Sequence, residues 1–193
     1  MNPQRKYRKS IIPESAKRVF EGKIFDVYQW EQELFDGTKE TFEKISRPDT
    51  VVVIPILSDK RILLLHDEQP DRKPVLTAPS GRIEENEMPE ETAKRELLEE
   101  TGYEVKELIP FFNFQPLNKI DWIVHVFIGK GCTKVAEPTL DPGEKITLRP
   151  VTFDEFIGLA AEGTLREERL TTLVLRAKLD PKKMDELRQK FFG

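Results

Sequence analysis

From Lys17 onward the chain alternates apolar and polar positions at strand spacing. KRVFEG is followed by KIFDVYQWEQEL, in which Ile24, Val27, Tyr28 and Trp30 supply the apolar and aromatic positions. Asp36-Gly37 is a turn signal and ETFEKI returns, so residues 23–46 are predicted to form a hairpin. Arg47-Pro48-Asp49 punctuates, and TVVVIPIL and RILLLH then read as two short buried strands parted by Ser58-Asp59-Lys60. HDEQPDRKP, with two prolines, reads as a loop, and VLTAPSG as a short strand. FFNFQPLN and DWIVHVFIGKG are again strand-like, with Pro116 marking a bend. CTKVAEPTLDPGE is a long irregular connection, and loops of that length inside a compact domain tend to serve function. ITLRPVTF gives the last strand signal. Three helical patterns close the chain, from Thr152 through FIGLAAEG, over REERLTTLVLRAKL, and from Pro181 over PKKMDELRQKFF. Neither repeats nor low-complexity tracts occur. The expected fold class is α+β, a mixed central sheet with helices inserted and appended. A small antiparallel ribbon over residues 1–48 precedes a main domain over 49–193.

The stretch GRIEENEMPEETAKRELLEETGY, residues 81–103, breaks the alternation and carries eight glutamates in 23 positions. Pro89 with Glu90 and Glu91 marks a helix start, and Gly102 marks a left-handed stop, so a helix is expected over 88–101. At 100° per residue Ala93, Leu97, Leu98 and Thr101 share one side, while Thr92, Glu96, Glu99 and Glu100 share another. Pairs at i, i+4 account for Glu90 with Lys94 and for Glu91 with Arg95. Glu96 faces Glu100, Glu100 faces Glu104, and Glu99 is left on the reading without a basic partner. Like charges at that spacing destabilise a helix, so the arrangement calls for a cation that the sequence does not supply. Ligation by carboxylates alone suits Mg2+ or Mn2+ rather than zinc.

Composition narrows the alternatives. A chain of 193 residues with 38% hydrophobic content has room for a real core. A net charge of −4 provides no global basic field for a nucleic-acid backbone, so no nucleic-acid partner is expected. One cysteine, Cys132, excludes an internal disulfide and a cysteine-based zinc cluster; it reads as a small buried hydrophobe in a reducing compartment. No apolar run approaches the ~20 residues that span a bilayer and no signal-peptide core follows the start, so a soluble, cytoplasmic protein with no membrane partner is expected. The basic opening MNPQRKYRKS reads as a frayed arm.

Gly81, Glu87 and the run Arg95-Glu96-Leu97-Leu98-Glu99-Glu100-Thr101-Gly102-Tyr103 reproduce the spacing of the Nudix box, with Tyr103 at a final position that is usually aliphatic. On these residues the chain resembles the Nudix hydrolase superfamily, and from Lys17 it looks most like the ADP-ribose pyrophosphatase branch. The resemblance implies an α/β/α sandwich with a mixed central sheet that hydrolyses a nucleoside diphosphate linked to another group. It further implies metal ligands at Glu96, Glu99, Glu100 and the carbonyl of Ser80 or Gly81, with Mg2+ or Mn2+ as cofactor. Glu87 and Arg95 would form an ion pair that pins the loop to the helix. Gly81, Glu87 and Gly102 are structural positions of the motif; Arg95, Glu99 and Glu144 are the catalytic candidates. Glu144, in LDPGEKI, falls where the branch carries an acid proposed as general base, with Asp121 and Glu137 as neighbouring acids open to the same role.

VFEGKIFDVYQW resembles strands that this branch exchanges across a homodimer and uses to hold the base. That makes Trp30 and Tyr28 stacking candidates, although alternation alone predicts burial or dimer packing for both. Arg47 and His66 are further substrate-binding candidates; His125 reads as a sheet residue. Departures from the branch occur at His66-Asp67-Glu68-Gln69, at Thr77 in place of Glu, and at Leu117 after Pro116. These leave open a different nucleotide sugar or related diphosphate. A nucleotide-sensing module without turnover and, more remotely, an isoprenoid diphosphate isomerase are the competing readings.

Overall fold

The structure is a computed structural model that describes residues 7–70 and 72–193. β1 (Lys17–Glu21), β2 (Asp26–Glu33) and β3 (Lys39–Ser46) form the antiparallel ribbon, with β1 bulged against β2 between Arg18 and Phe20. The ribbon is not free-standing: β10 (Ile120–Asp121) pairs parallel with Ile45 and Ser46 and completes a four-stranded sheet. The second sheet has eight strands. Its order is β12 (Lys145–Val151), β5 (Ile62–Gln69), β4 (Thr50–Leu57), β11 (Val124–Lys134) and β8 (Tyr103–Glu104). On it β6 (Arg72–Thr77) pairs β5, β7 (Ser80–Arg82) pairs β4 and β9 (Glu107–Phe114) pairs β11. β4 and β11 run parallel at the centre, which explains their unbroken apolar sequences: helices cover both faces.

Alternation along β4 sorts the two faces. Val52, Ile54 and Ile56 pack with α2 (Phe153–Ala161), α3 (Glu168–Lys178) and α4 (Pro181–Phe192). Val51, Val53 and Leu57 pack with Ala93 and Leu97 of α1 (Pro89–Thr101), alongside Cys132, which is buried as expected. Truncating fully buried Leu97 to alanine would cost about 2–5 kcal/mol and loosen the helix that carries the glutamates. The architecture is the expected α/β/α layering of an α+β fold.

Three expectations need correction. HDEQPDRKP is not an open loop: β5 continues to Gln69 and β6 begins at Arg72, and an Asp67–Arg72 ion pair clasps the hairpin. The opening arm, as far as it is described, is anchored rather than frayed. Arg8 donates to Asp49 through Nε (2.6 Å) and Nη2 (2.7 Å) and to Asp121 through Nη1 (2.7 Å), and Ser10 donates to Asp121 (2.6 Å). Two buried carboxylates require that cation. Finally, β8 takes the chain off the helix axis after Gly102, so Glu104 does not continue the face of Glu100.

Candidate active site

The helix α1 begins where the sequence placed it. Pro89 occupies the first turn and Glu91 accepts the otherwise unpaired Met88 N–H (2.8 Å). It stops at Gly102, whose φ is +75°; a Cβ there would come within 2.1 Å of the Ala136 carbonyl. That closeness has a purpose. Val135 and Ala136 donate to the Gly102 carbonyl (2.9 and 3.1 Å) and Thr139 donates to the Glu99 carbonyl (2.8 Å), so the long connection is stapled to the end of α1. The same connection then delivers Glu144 to the glutamates.

Arg95 organises the acidic face. It clamps both oxygens of Glu87, through Nε (2.9 Å) and Nη2 (3.0 Å), and Nη1 donates to Glu96 (2.7 Å) and Glu99 (2.9 Å). The expected Glu87–Arg95 ion pair is present. The pairing of Arg95 with Glu91 is not, because Glu91 is engaged at the helix start, and Glu99 does have a basic neighbour, four residues behind it on the helix. Thr92 is buried and donates its hydroxyl to Glu87 (2.6 Å), so it braces the clamp. The Arg95 guanidinium, with help from Thr92, holds the Glu87 carboxyl down to about 2, and the carboxylates in turn hold Arg95 in its charged form.

Glu96 and Glu100 are different. Burial pushes Glu96 up, against the pull of Arg95, and it pushes Glu100 well above the carboxylate range although the Ser80 N–H donates to it (3.0 Å). Repulsion adds to both shifts, from Glu99 and Glu144 on Glu96 and from Glu96 and Glu144 on Glu100. Glu144 is itself raised, by burial and then by Asp141 and Asp67. Gly81 is required by the same crowding: a Cβ there would lie 1.8 Å from the Glu96 carboxylate. Among the described residues no three acids already converge in ligating geometry. Arg95 instead bridges Glu96 and Glu99. The donor set nevertheless fits a hard divalent cation: carboxylates crowded in a low dielectric, with surplus negative charge and the Ser80 backbone against them.

A cation adjoins the acids. Arg166, in the turn before α3, donates to Ser80 Oγ (2.7 Å), and its charge eases the ionisation of Glu100. Arg47 is lowered by burial and by the charges of Arg82 and Arg166, which places the three guanidiniums in one field. Its guanidinium lies over the rings of Trp122 (4.4 Å) and Phe25 (5.6 Å), which holds it rigidly. Asp67 and Arg72 face Glu144 from the β5–β6 hairpin.

Other candidates fall elsewhere. His66 pairs with Leu76 and Thr147 and points to the α2–α4 side of the sheet, away from neighbouring Asp67. Tyr28 is fully buried. Trp30 packs on Phe42 (6.0 Å between ring centres) and lines a groove with Ile12, Gln32 and Lys119, separate from the cavity that Arg47 lines with Asp49 and Glu84 to Glu87. Asp121 is committed to Arg8 and Glu137 pairs with Lys134 (2.7 Å), which leaves Glu144 as the acid delivered to the cluster. His125 sits on β11 edge-on to Tyr7, 3.9 Å from Asp49. Arg82, Arg166 and Arg72 escaped the sequence reading, and Asp67 entered it only as a departure from the branch. Only Arg82, directly after the box glycine, had a positional signal.

The NUDIX domain model matches residues 46–174. The chain is 33% identical over 149 residues to an ADP-ribose pyrophosphatase of Bacillus subtilis (strain 168), covering 75% of this chain and 80% of the relative. It is 29% identical over 162 residues to a methanol dehydrogenase activator of Bacillus methanolicus, covering 82% and 88%. A solved ADP compounds hydrolase superposes with a TM-score of 0.69 at 20% identity, over 91% of this chain and 96% of that one, which speaks for the fold. Box, fold and relatives agree: the chain belongs to the Nudix family of hydrolases and is similar to an ADP-ribose pyrophosphatase within it.

Proposed function

We propose that the protein hydrolyses ADP-ribose or a related nucleotide sugar to a nucleoside monophosphate and a sugar phosphate, and that turnover depends on Mg2+ or Mn2+. The observation that carries this reading is the crowding of Glu96, Glu100 and Glu144 at the box helix, with Arg166 bonded to Ser80 beside them. A diphosphate is an anion, and carboxylates would hold it only with a divalent ion to compensate the charge. Glu96, Glu99, Glu100 and the Ser80 carbonyl would hold that ion, which supplies charge neutralisation and an acidified water when bound. Glu144, with its raised pKa, accepts the proton of the attacking water, and Arg47, held over Trp122 and Phe25, is a binding residue for the substrate. Arg95 keeps Glu96 and Glu99 oriented while Glu87 anchors it to the loop.

The same reading includes a homodimer. Trp30 lies on the ribbon, apart from the glutamates of its own chain, so stacking on a base requires a second subunit's site. The ribbon also exposes Val19, Phe20, Ile24, Phe25 and Phe35 in a form that a second copy would cover. A cytoplasmic location accords with the buried free thiol of Cys132; among the described residues no helix is long and apolar enough to cross a membrane.

Incubation of the protein with ADP-ribose and Mg2+ should release AMP and ribose 5-phosphate, and EDTA should abolish the release. Tight binding without product would instead support the sensing module. A panel of nucleotide sugars and dinucleotides ranked by kcat/KM then fixes the leaving group, and light scattering of the protein should give twice the mass of one chain.

A further inference from the structure

We infer that Arg166 is a substrate-binding residue: its guanidinium contacts a phosphoryl oxygen of the bound diphosphate, as a cationic arm brought to the site from the C-terminal half of the chain. This rests on the reading of the substrate as a diphosphate ester.

The backbone of Arg166 is fixed. Its N–H donates to the Leu76 carbonyl (2.9 Å) and the preceding Leu165 bridges Leu76, so the turn before α3 is laced to β6, just before Ser80 and Gly81. The side chain is aimed. Its one hydrogen bond among the described residues runs from Nη2 to Ser80 Oγ (2.7 Å), and the N–H of the same serine holds Glu100 (3.0 Å). The guanidinium is also unspent. The two acids beside it lie beyond hydrogen-bond reach, Glu167 at 3.7 Å and Asp67 at 3.9 Å. The facing oxygens of those acids already serve other donors, Thr77 in the first case and Arg72 in the second. Arg166 therefore presents unused N–H donors, more than a third exposed, at the edge of the acidic cluster. An arginine so held, with loose counter-charges and open donors, has the geometry of a phosphate clamp. A purely structural arginine would resemble Arg8 or Arg95, whose donors are used up in short bonds.

The test uses the full-length protein, Arg166→Ala and Arg166→Lys. The probe for binding is the non-hydrolysable α,β-methylene analogue of ADP-ribose with Mg2+, and turnover of ADP-ribose is measured in parallel. Arg166→Ala should weaken analogue binding at least tenfold and lower kcat/KM by about 10²-fold, lysine should restore part of both, and free guanidinium at millimolar concentration should raise the activity of the alanine variant. Analogue affinity within threefold of the wild type overturns the inference. A loss accompanied by a lowered melting temperature and no response to guanidinium also overturns it, in favour of a structural role. A wild-type protein that neither binds the analogue nor cleaves ADP-ribose sinks the functional reading itself, and this inference with it; normal wild-type turnover with an indifferent Arg166 sinks the inference alone.

Discussion

Two carboxylate pairs in this molecule meet the same electrostatic problem with opposite solutions. Asp49 and Asp121 are fully buried, and Arg8 reaches back from the start of the chain to bond both of them at 2.6 to 2.7 Å. Glu96 and Glu100 are partly buried on α1, yet the chain gives them less: Arg95 reaches Glu96 only while also serving Glu87 and Glu99, and Glu100 has one backbone N–H. The first pair is bonded on both members by a cation built into the chain and has become structure. The second is left with excess charge, and burial holds its members above the ordinary carboxylate range. A site that must accept a divalent ion has to stay short of cations when empty; a site that only holds the fold does not.

Breaking the first pair should have the largest effect. Arg8→Ala removes three charge-assisted hydrogen bonds from two buried carboxylates at the junction of the ribbon and the main sheet, and a loss of about 3–5 kcal/mol is expected in urea unfolding. A loss below about 1 kcal/mol would mean that Arg8 is not what neutralises them. Breaking the second pair should instead strike function. With Mg2+ present, Glu100→Gln is expected to lower kcat by on the order of 10²-fold, about 2.7 kcal/mol in the barrier, at unchanged fold. Without metal the same variant should be more stable than the wild type, by roughly 1–2 kcal/mol at neutral pH, within the usual span of single-site effects. The sign follows from linkage: a carboxyl raised in the folded state binds its proton more tightly there. The native form therefore loses stability as pH climbs from the ordinary carboxyl value of 4.5 through the raised value, and glutamine removes that loss. An unchanged or lower melting temperature for the metal-free variant would contradict the account.

The contrast between the pairs also marks what could be read from sequence. The helix α1 was legible because each of its signals is local: Pro89 at the start, Gly102 at the stop, and carboxylates at fixed offsets along one face. One misjudged contact, Arg95 with Glu91, shows the limit of that logic. Helical spacing offers Arg95 both Glu91 and Glu99, and the choice was made from outside the helix, by Glu87 in the loop and by the Met88 N–H that engages Glu91. The hairpin of β5 and β6 was missed for a related reason. Pro70 and Pro74 look like loop punctuation, whereas the Asp67–Arg72 pair and the ladder to β5 decide the outcome. Arg8 and Arg166 were illegible. Arg8 bonds partners 41 and 113 positions away and Arg166 bonds Ser80 86 positions away, distances over which no periodicity carries information.

Glu87 and Arg95 provide the finest test, since their ion pair lies between the two extremes. It is bidentate and part-buried like the Arg8 contacts, but it belongs to the acidic helix. Because the Glu87 carboxyl is held down to about 2, mainly by Arg95, its folded form binds a proton more weakly than its unfolded form. The stability it contributes is complete above pH 4.5 and disappears as pH falls toward about 2. Glu87→Gln should therefore cost about 1–2 kcal/mol at pH 7, the scale of a hydrogen bond to a charged group, with the difference from wild type shrinking through that acid window. Arg95, released from the loop, would remain bonded to Glu96 and Glu99, so the variant should also bind Mg2+ more weakly by isothermal titration. A stability difference that stayed constant down to pH 2 would show that the loop, rather than the charge on Glu87, holds Arg95 in place.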